Sequence, residues 1–95
     1  MGLKEAYQEK LEAQLKEWGA QIDQLKAKAD QATADAKIEY HEQIEALRTK
    51  QAAAQQKLQE LREAGEGAWE NLKVGIERAW VELKSAVESA VAKFK

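Results

Sequence analysis

AWENLKVGIER (68–78), AWVELKSAVES (79–89) and AVAKFK (90–95) are one 11-residue unit written almost three times. Its first position holds Ala68, Ala79 and Ala90, and its second Trp69, Trp80 and Val91. Its fifth holds Leu72, Leu83 and Phe94, and its ninth Ile76 and Val87. Eleven residues make about three turns of α-helix, so these side chains fall on one stripe with almost no drift. Such a helix is amphipathic, and its tryptophans need cover. The chain before it is expected to provide that cover.

Just upstream stands Gly65-Glu66-Gly67, the strongest punctuation in a chain with no proline and only five glycines. Gly65 fits a helix C-terminal residue in the left-handed region, and Gly67 can cap the helix that follows, with Glu70 three residues on. So short a link makes the two helices antiparallel neighbours. Folding about Glu66 sets the register. Leu72 meets Leu58 and Leu61, and Ile76 comes within reach of Leu58. Trp80 meets Ala52, Ala53 and Ala54. Leu83 meets Leu47, Val87 meets Ile44 and Leu47, and Val91 and Phe94 meet Tyr40. The largest side chain faces the smallest ones, as close packing requires. These residues, with Trp69, are the expected hairpin core.

The stripe continues toward the N-terminus as Leu3, Tyr7, Leu11, Leu15, Trp18, Ile22, Leu25, Ala29, Ala32, Ala36, Tyr40, Ile44, Leu47, Gln51, Ala54, Leu58 and Leu61. Every step is three or four residues, which is the spacing of one helix face. Gly2 can cap the start, with Glu5 at the third helical position. Gly19 weakens the helix without ending it. Residues 29–36, ADQATADA, are the candidate break on residue type, because Asp30, Thr33 and Asp35 can cap; yet four alanines favour helix and no Gly or Pro marks a turn. The expected fold is therefore all-α within one helical domain, 1–95. It has a long helix over about 3–63, a turn at 65–67, and a shorter antiparallel helix over 68–94. This is a coiled-coil-like helical hairpin. A three-helix bundle with a break near 29–36 is the alternative.

Tyr7, Leu11, Leu15, Trp18, Ile22 and Leu25 have no partner inside such a hairpin. On a straight helix they must pack on a second copy, each arm lying on the partner's hairpin, so a homodimer is the expected state. A break near 29–36 would instead make 3–28 the third helix of a compact bundle. The two arrangements share their contacts and differ by a domain swap.

Composition bounds the chemistry. Ala, Glu, Lys, Gln and Leu dominate, as in long helices and coiled coils. No cysteine is present, so thiolate metal sites, disulfides and cysteine nucleophiles are excluded. Fifteen basic and 17 acidic residues are interspersed, giving a net charge of −2 with no basic face for nucleic acid. The start, MGLKEAYQEK, has no apolar signal core, and the expected location is the cytoplasm. His41, the single histidine, stands one turn from Glu45, but Ile38 occupies the place where a di-iron helix carries Glu. Ser85 and Ser89 sit in a polar face. Pairs such as Glu12 with Lys16, Glu45 with Arg48 and Glu70 with Lys73 are expected as ion pairs along a helix surface. No catalytic, cofactor-binding or metal-binding residue is expected, and no enzyme.

The repeat segment with the preceding KIEYHEQIEALRTK resembles a family of short bacterial coiled-coil proteins linked by name to stress response. The likeness extends from EAYQEKLEAQLKEW to the VAKFK end. It implies a bacterial, stress-associated, non-enzymatic protein whose family has no known molecular function. The 11-residue period also resembles exchangeable apolipoproteins, and AKADQATADAK resembles late-embryogenesis-abundant proteins. The expected function is structural or interaction-based, through self-association or a helical protein partner. The alternative is a peripheral lipid-binding protein. Against the latter, residues 66–95 carry five acidic and five basic side chains, without the usual basic excess.

Overall fold

The computed structural model describes residues 2–93. The chain is all-α, with α1 (Leu3–Asp30), α2 (Ala34–Glu63) and α3 (Lys73–Lys93). A 3-10 turn, Trp69–Leu72, leads into α3. Glu12 meets Arg62, Asp23 meets Arg48 and Asp30 meets His41, so α1 and α2 run antiparallel. A β-carbon at Gly75 would lie 3.8 Å from Lys57 Nζ. Residues 43–50 and 86–93 flank one groove. Both observations match the antiparallel register that follows from folding about Glu66. The result is an up-down-up bundle of 51 × 20 × 18 Å.

The straight helix expected over 3–63 is not formed. α1 ends at Asp30 and α2 begins at Ala34, with Gln31–Thr33 between them. Gln31 and Ala32 donate to Lys28 and Ala29 carbonyls three residues back, and Thr33 turns extended at φ −62°, ψ 162°. Within one chain the physical reason is burial. Leu11, Leu15, Ile22, Leu25 and Ala29 are buried once α1 lies on the other helices. Each large apolar side chain covered contributes about 1.5–3 kcal/mol, far above the propensity lost over three residues. Tertiary packing thus overrides a locally helix-favouring stretch. The N-terminal arm packs on its own chain rather than extending away from it. Thr33 is the N-cap of α2 by position, although its hydroxyl makes no cap hydrogen bond.

The second turn stands where the paired glycines place it, but its mechanism differs. No glycine among the described residues has positive φ. Ala64 leaves α2 already extended, at φ −74° and ψ 143°, so Gly65 needs no left-handed conformation. Gly65 O then accepts from Ala68 N at 3.0 Å and Trp69 N at 3.2 Å. The cap of the following 3-10 turn is Ala68, not Gly67. The expected uninterrupted α-helix from 68 therefore starts as a 3-10 turn and becomes α only at Lys73. A β-carbon at Gly65 or Gly67 would meet nothing within 4 Å. Gly65→Ala and Gly67→Ala are expected to raise stability by roughly 0.4–1 kcal/mol each, by restricting the unfolded chain. A fall in the thermal midpoint of either variant would show that its glycine needs the left-handed region.

The interior is one apolar cluster with contributions from every helix, and no polar or charged residue among those described is buried. Ile22, Leu58, Leu61, Ile76, Leu83 and Val87 are its largest fully covered side chains. Small residues let the helices approach. Ala54 is 0 % exposed, while its neighbours Ala52 and Ala53 lie on the surface and are no part of the cover expected for Trp80. Leu3, at 77 % exposure, stands outside the stripe it was expected to extend.

Candidate functional site

Of the six arm residues, Leu11, Leu15, Ile22 and Leu25 are buried within the chain, and Tyr7 and Trp18 are half-buried against the same core. Of the expected hairpin core, Ile44, Leu47, Ala54, Leu58, Leu61, Trp69, Ile76, Trp80, Leu83 and Val87 are buried. Tyr40, Leu72 and Val91 are partly buried against them. Phe94 lies outside the described residues. Ala29 and Ala90 join the core as well.

The α1–α2 contact carries a polar seam that the sequence reading missed. Arg62 Nη2 donates to Glu12 Oε1 at 2.8 Å, and Gln8 Nε2 donates to the same oxygen at 3.2 Å. Arg48 Nη2 donates to Asp23 Oδ1 at 2.9 Å. His41 Nε2 lies 3.2 Å from Asp30 Oδ1 beside the 31–33 turn. Lys4 Nζ reaches Ala64 O at 2.6 Å, near the end of α2 where helix carbonyls lack partners of their own. Glu12 and Arg48 thus use partners across the interface, not the Lys16 and Glu45 of their own helices. In the three charged pairs of the seam, α1 carries the acid and α2 the base. That signal becomes visible only once α1 is laid antiparallel on α2.

The Arg62 and Gln8 hydrogen bonds hold the Glu12 carboxyl below the usual glutamate range. A depressed folded value stabilises the fold above the unfolded pKa, and that contribution is lost as pH falls through the folded one. Midway along the seam α1 presents Gly19, where a β-carbon would stand 3.1 Å from Gln51 Nε2. Gly19 is thus a point of close approach as well as a weak spot in the helix.

At the end of the bundle near the 65–67 turn, the Tyr7 and Trp69 rings lie 5.7 Å apart at 40°. Lys73 Nζ sits over both, at 5.4 and 5.5 Å. This ammonium–ring contact ties the start of α1 to the start of α3. Lys73 therefore spends its charge on the rings. The Tyr7 hydroxyl and Trp80 Nε1 are buried without a hydrogen-bond partner. Burial, then the Glu77 charge, pushes the Tyr7 phenol above its ordinary 10.0. A raised folded value leaves stability intact below pH 10.0 and removes it as pH climbs through the folded pKa. Tyr7→Phe removes an unpartnered hydroxyl, and is expected to raise stability by about 1 kcal/mol and abolish that alkaline loss. Destabilisation of the variant in urea at neutral pH would reveal a hydrogen bond to the hydroxyl.

Open grooves run between the helices. The α1–α2 groove is lined by seam residues with Gly19, Ala20 and Gln55. The α2–α3 groove is lined by Ala46, Leu47, Ala86 and Ala90 together with Gln43, Lys50, Ser89 and Lys93. Among the described residues, no three His, Asp or Glu side chains converge on a metal-sized site. No helix of the described residues is long and apolar enough to cross a membrane. What the geometry offers is a set of matched helix faces. No family model matches this chain, and neither a curated protein nor a solved structure does.

Proposed function

We propose that this chain is a non-enzymatic helical interaction protein that acts by self-association. The observation behind this reading is the α1–α2 interface. An apolar row is flanked by acids on one helix and bases on the other, so each face recognises the other by both packing and charge. A second copy carries the same two faces. The proposal extends to a bacterial, stress-associated setting, which the resemblance of the repeat segment favours, and to the cytoplasm, the location expected from the MGLKEAYQEK start. A helical protein partner could use the same faces.

The lipid-binding alternative draws on the 11-residue amphipathic repeat and on the exposed Val74 and Val81 a heptad apart on α3. Balanced charge on residues 66–95 weighs against it. Mass measurement from low to high micromolar concentration tests the proposal, with tryptophan emission recorded on adding anionic vesicles. Growth of a discrete oligomer with unchanged emission is the expected result. A monomer at all concentrations whose emission shifts blue on vesicles would replace the proposal with the lipid reading.

A further inference from the structure

We infer that the 31–33 turn is an exchange hinge, through which α1 leaves its own bundle and takes the same place on a second copy of this chain. This deepens the self-association reading and rests on it. Four observations carry it.

First, the turn holds no residue that demands a turn. It contains neither glycine nor proline, and no described residue, glycine or other, has positive φ. Second, little separates the turn from a helix. Gln31 is already in the right-handed region at φ −94°, ψ −3°. Thr33 has a helical φ and departs in ψ, while its carbonyl already accepts from Lys37 N at 2.7 Å. Third, opening exchanges water for helix carbonyls as hydrogen-bond partners at the exposed start of α2. In the closed bundle helix geometry leaves the first N–H groups of α2 without partners in their own helix. A helix continuous through the hinge pairs those of residues 34–36 with the carbonyls of residues 30–32. Fourth, the surface that α1 vacates fits a second α1. Glu12–Arg62, Asp23–Arg48 and Lys4 on the end of α2 can all be remade between chains, in the antiparallel order a two-fold axis requires. A lipid surface offers no counterpart to that sequence of charges.

The opened chain is one helix from residue 3 to residue 63, about 90 Å long at 1.5 Å per residue. Two such helices lie antiparallel, each α1 on the partner's α2 and α3. The apolar contacts are those of the closed bundle, so the balance is set by the hinge and by the entropy of association. The exchange is therefore concentration-dependent and sensitive to substitutions at the hinge that touch no core residue.

Two hinge variants push in opposite directions. Thr33→Ala favours helix at a position whose hydroxyl caps nothing. Each dimer holds two hinges, so the effect enters twice and should tighten dimerisation about 5- to 10-fold. Ala32→Gly with Thr33→Gly should weaken it about 10- to 100-fold. The topology is read by a crosslink. The natural chain has no cysteine, so Asp23→Cys with Arg48→Cys places a single pair across the seam. A short bismaleimide applied to the dimer peak should give covalent dimers on a denaturing gel. A dimer peak that yields only internally linked single chains would overturn the exchange while leaving self-association standing. A chain that stays monomeric at every concentration, Thr33→Ala included, would overturn both.

Discussion

Ile22→Ala is expected to lower the stability of the fold by about 2–5 kcal/mol, measured by urea unfolding followed by circular dichroism. Ile22 belongs to α1 and is 0 % exposed. It lies in the same cluster as Leu58, Leu61, Ile76 and Leu83 of the other helices. Truncation removes the transfer free energy of the lost carbons and leaves a cavity that rigid neighbours fill only in part. The size of the effect separates two architectures. In a two-helix hairpin with a free N-terminal arm, Ile22 would be wet and its truncation would change stability by less than about 0.5 kcal/mol. A change that small would remove α1 from the core.

Ala54→Leu is expected to cost about 1–3 kcal/mol, whereas Ala53→Leu should stay within about 0.5 kcal/mol. Ala54 is 0 % exposed in a close-packed interior and has no room for three more carbons. Ala53 is exposed, and leucine is a good helix former there. The pair measures which face of α2 points inward to a resolution of one residue, about 100° of helix rotation. Equal effects at the two positions, large or small, would mean that α2 is rotated from the orientation described. Thermal unfolding of both variants beside the parent chain suffices.

Much was legible from residues 65–91. The 11-residue repeat places Trp69, Ile76, Trp80, Leu83 and Val87 on one stripe because a helix returns to the same face every three turns, and all five are buried. Gly65 and Gly67 mark the link to α3, and a link this short leaves only the antiparallel arrangement. The register then follows from counting residues away from the turn. Local periodicity and punctuation were sufficient here because they and the tertiary contacts agree.

The sequence by itself determined three things about this protein: that it is all helix, which side chains form its apolar stripes, and where its glycine-marked turn lies. These depend on interactions within a few residues along the chain, namely helical spacing and the lack of anything that favours strand. The tertiary structure decided between a continuous helix and the alternative break near 29–36, and placed the turn at Gln31–Thr33, where local preference points to a continuous helix. It decided as well that Glu12, Asp23 and Asp30 look across to Arg62, Arg48 and His41. Within a single chain the mildly helix-favouring ADQATADA stretch yields because Leu11, Leu15, Ile22 and Leu25 lose far more in water than three residues gain by staying helical. That comparison involves residues distant in sequence, and a local pattern carries no record of it.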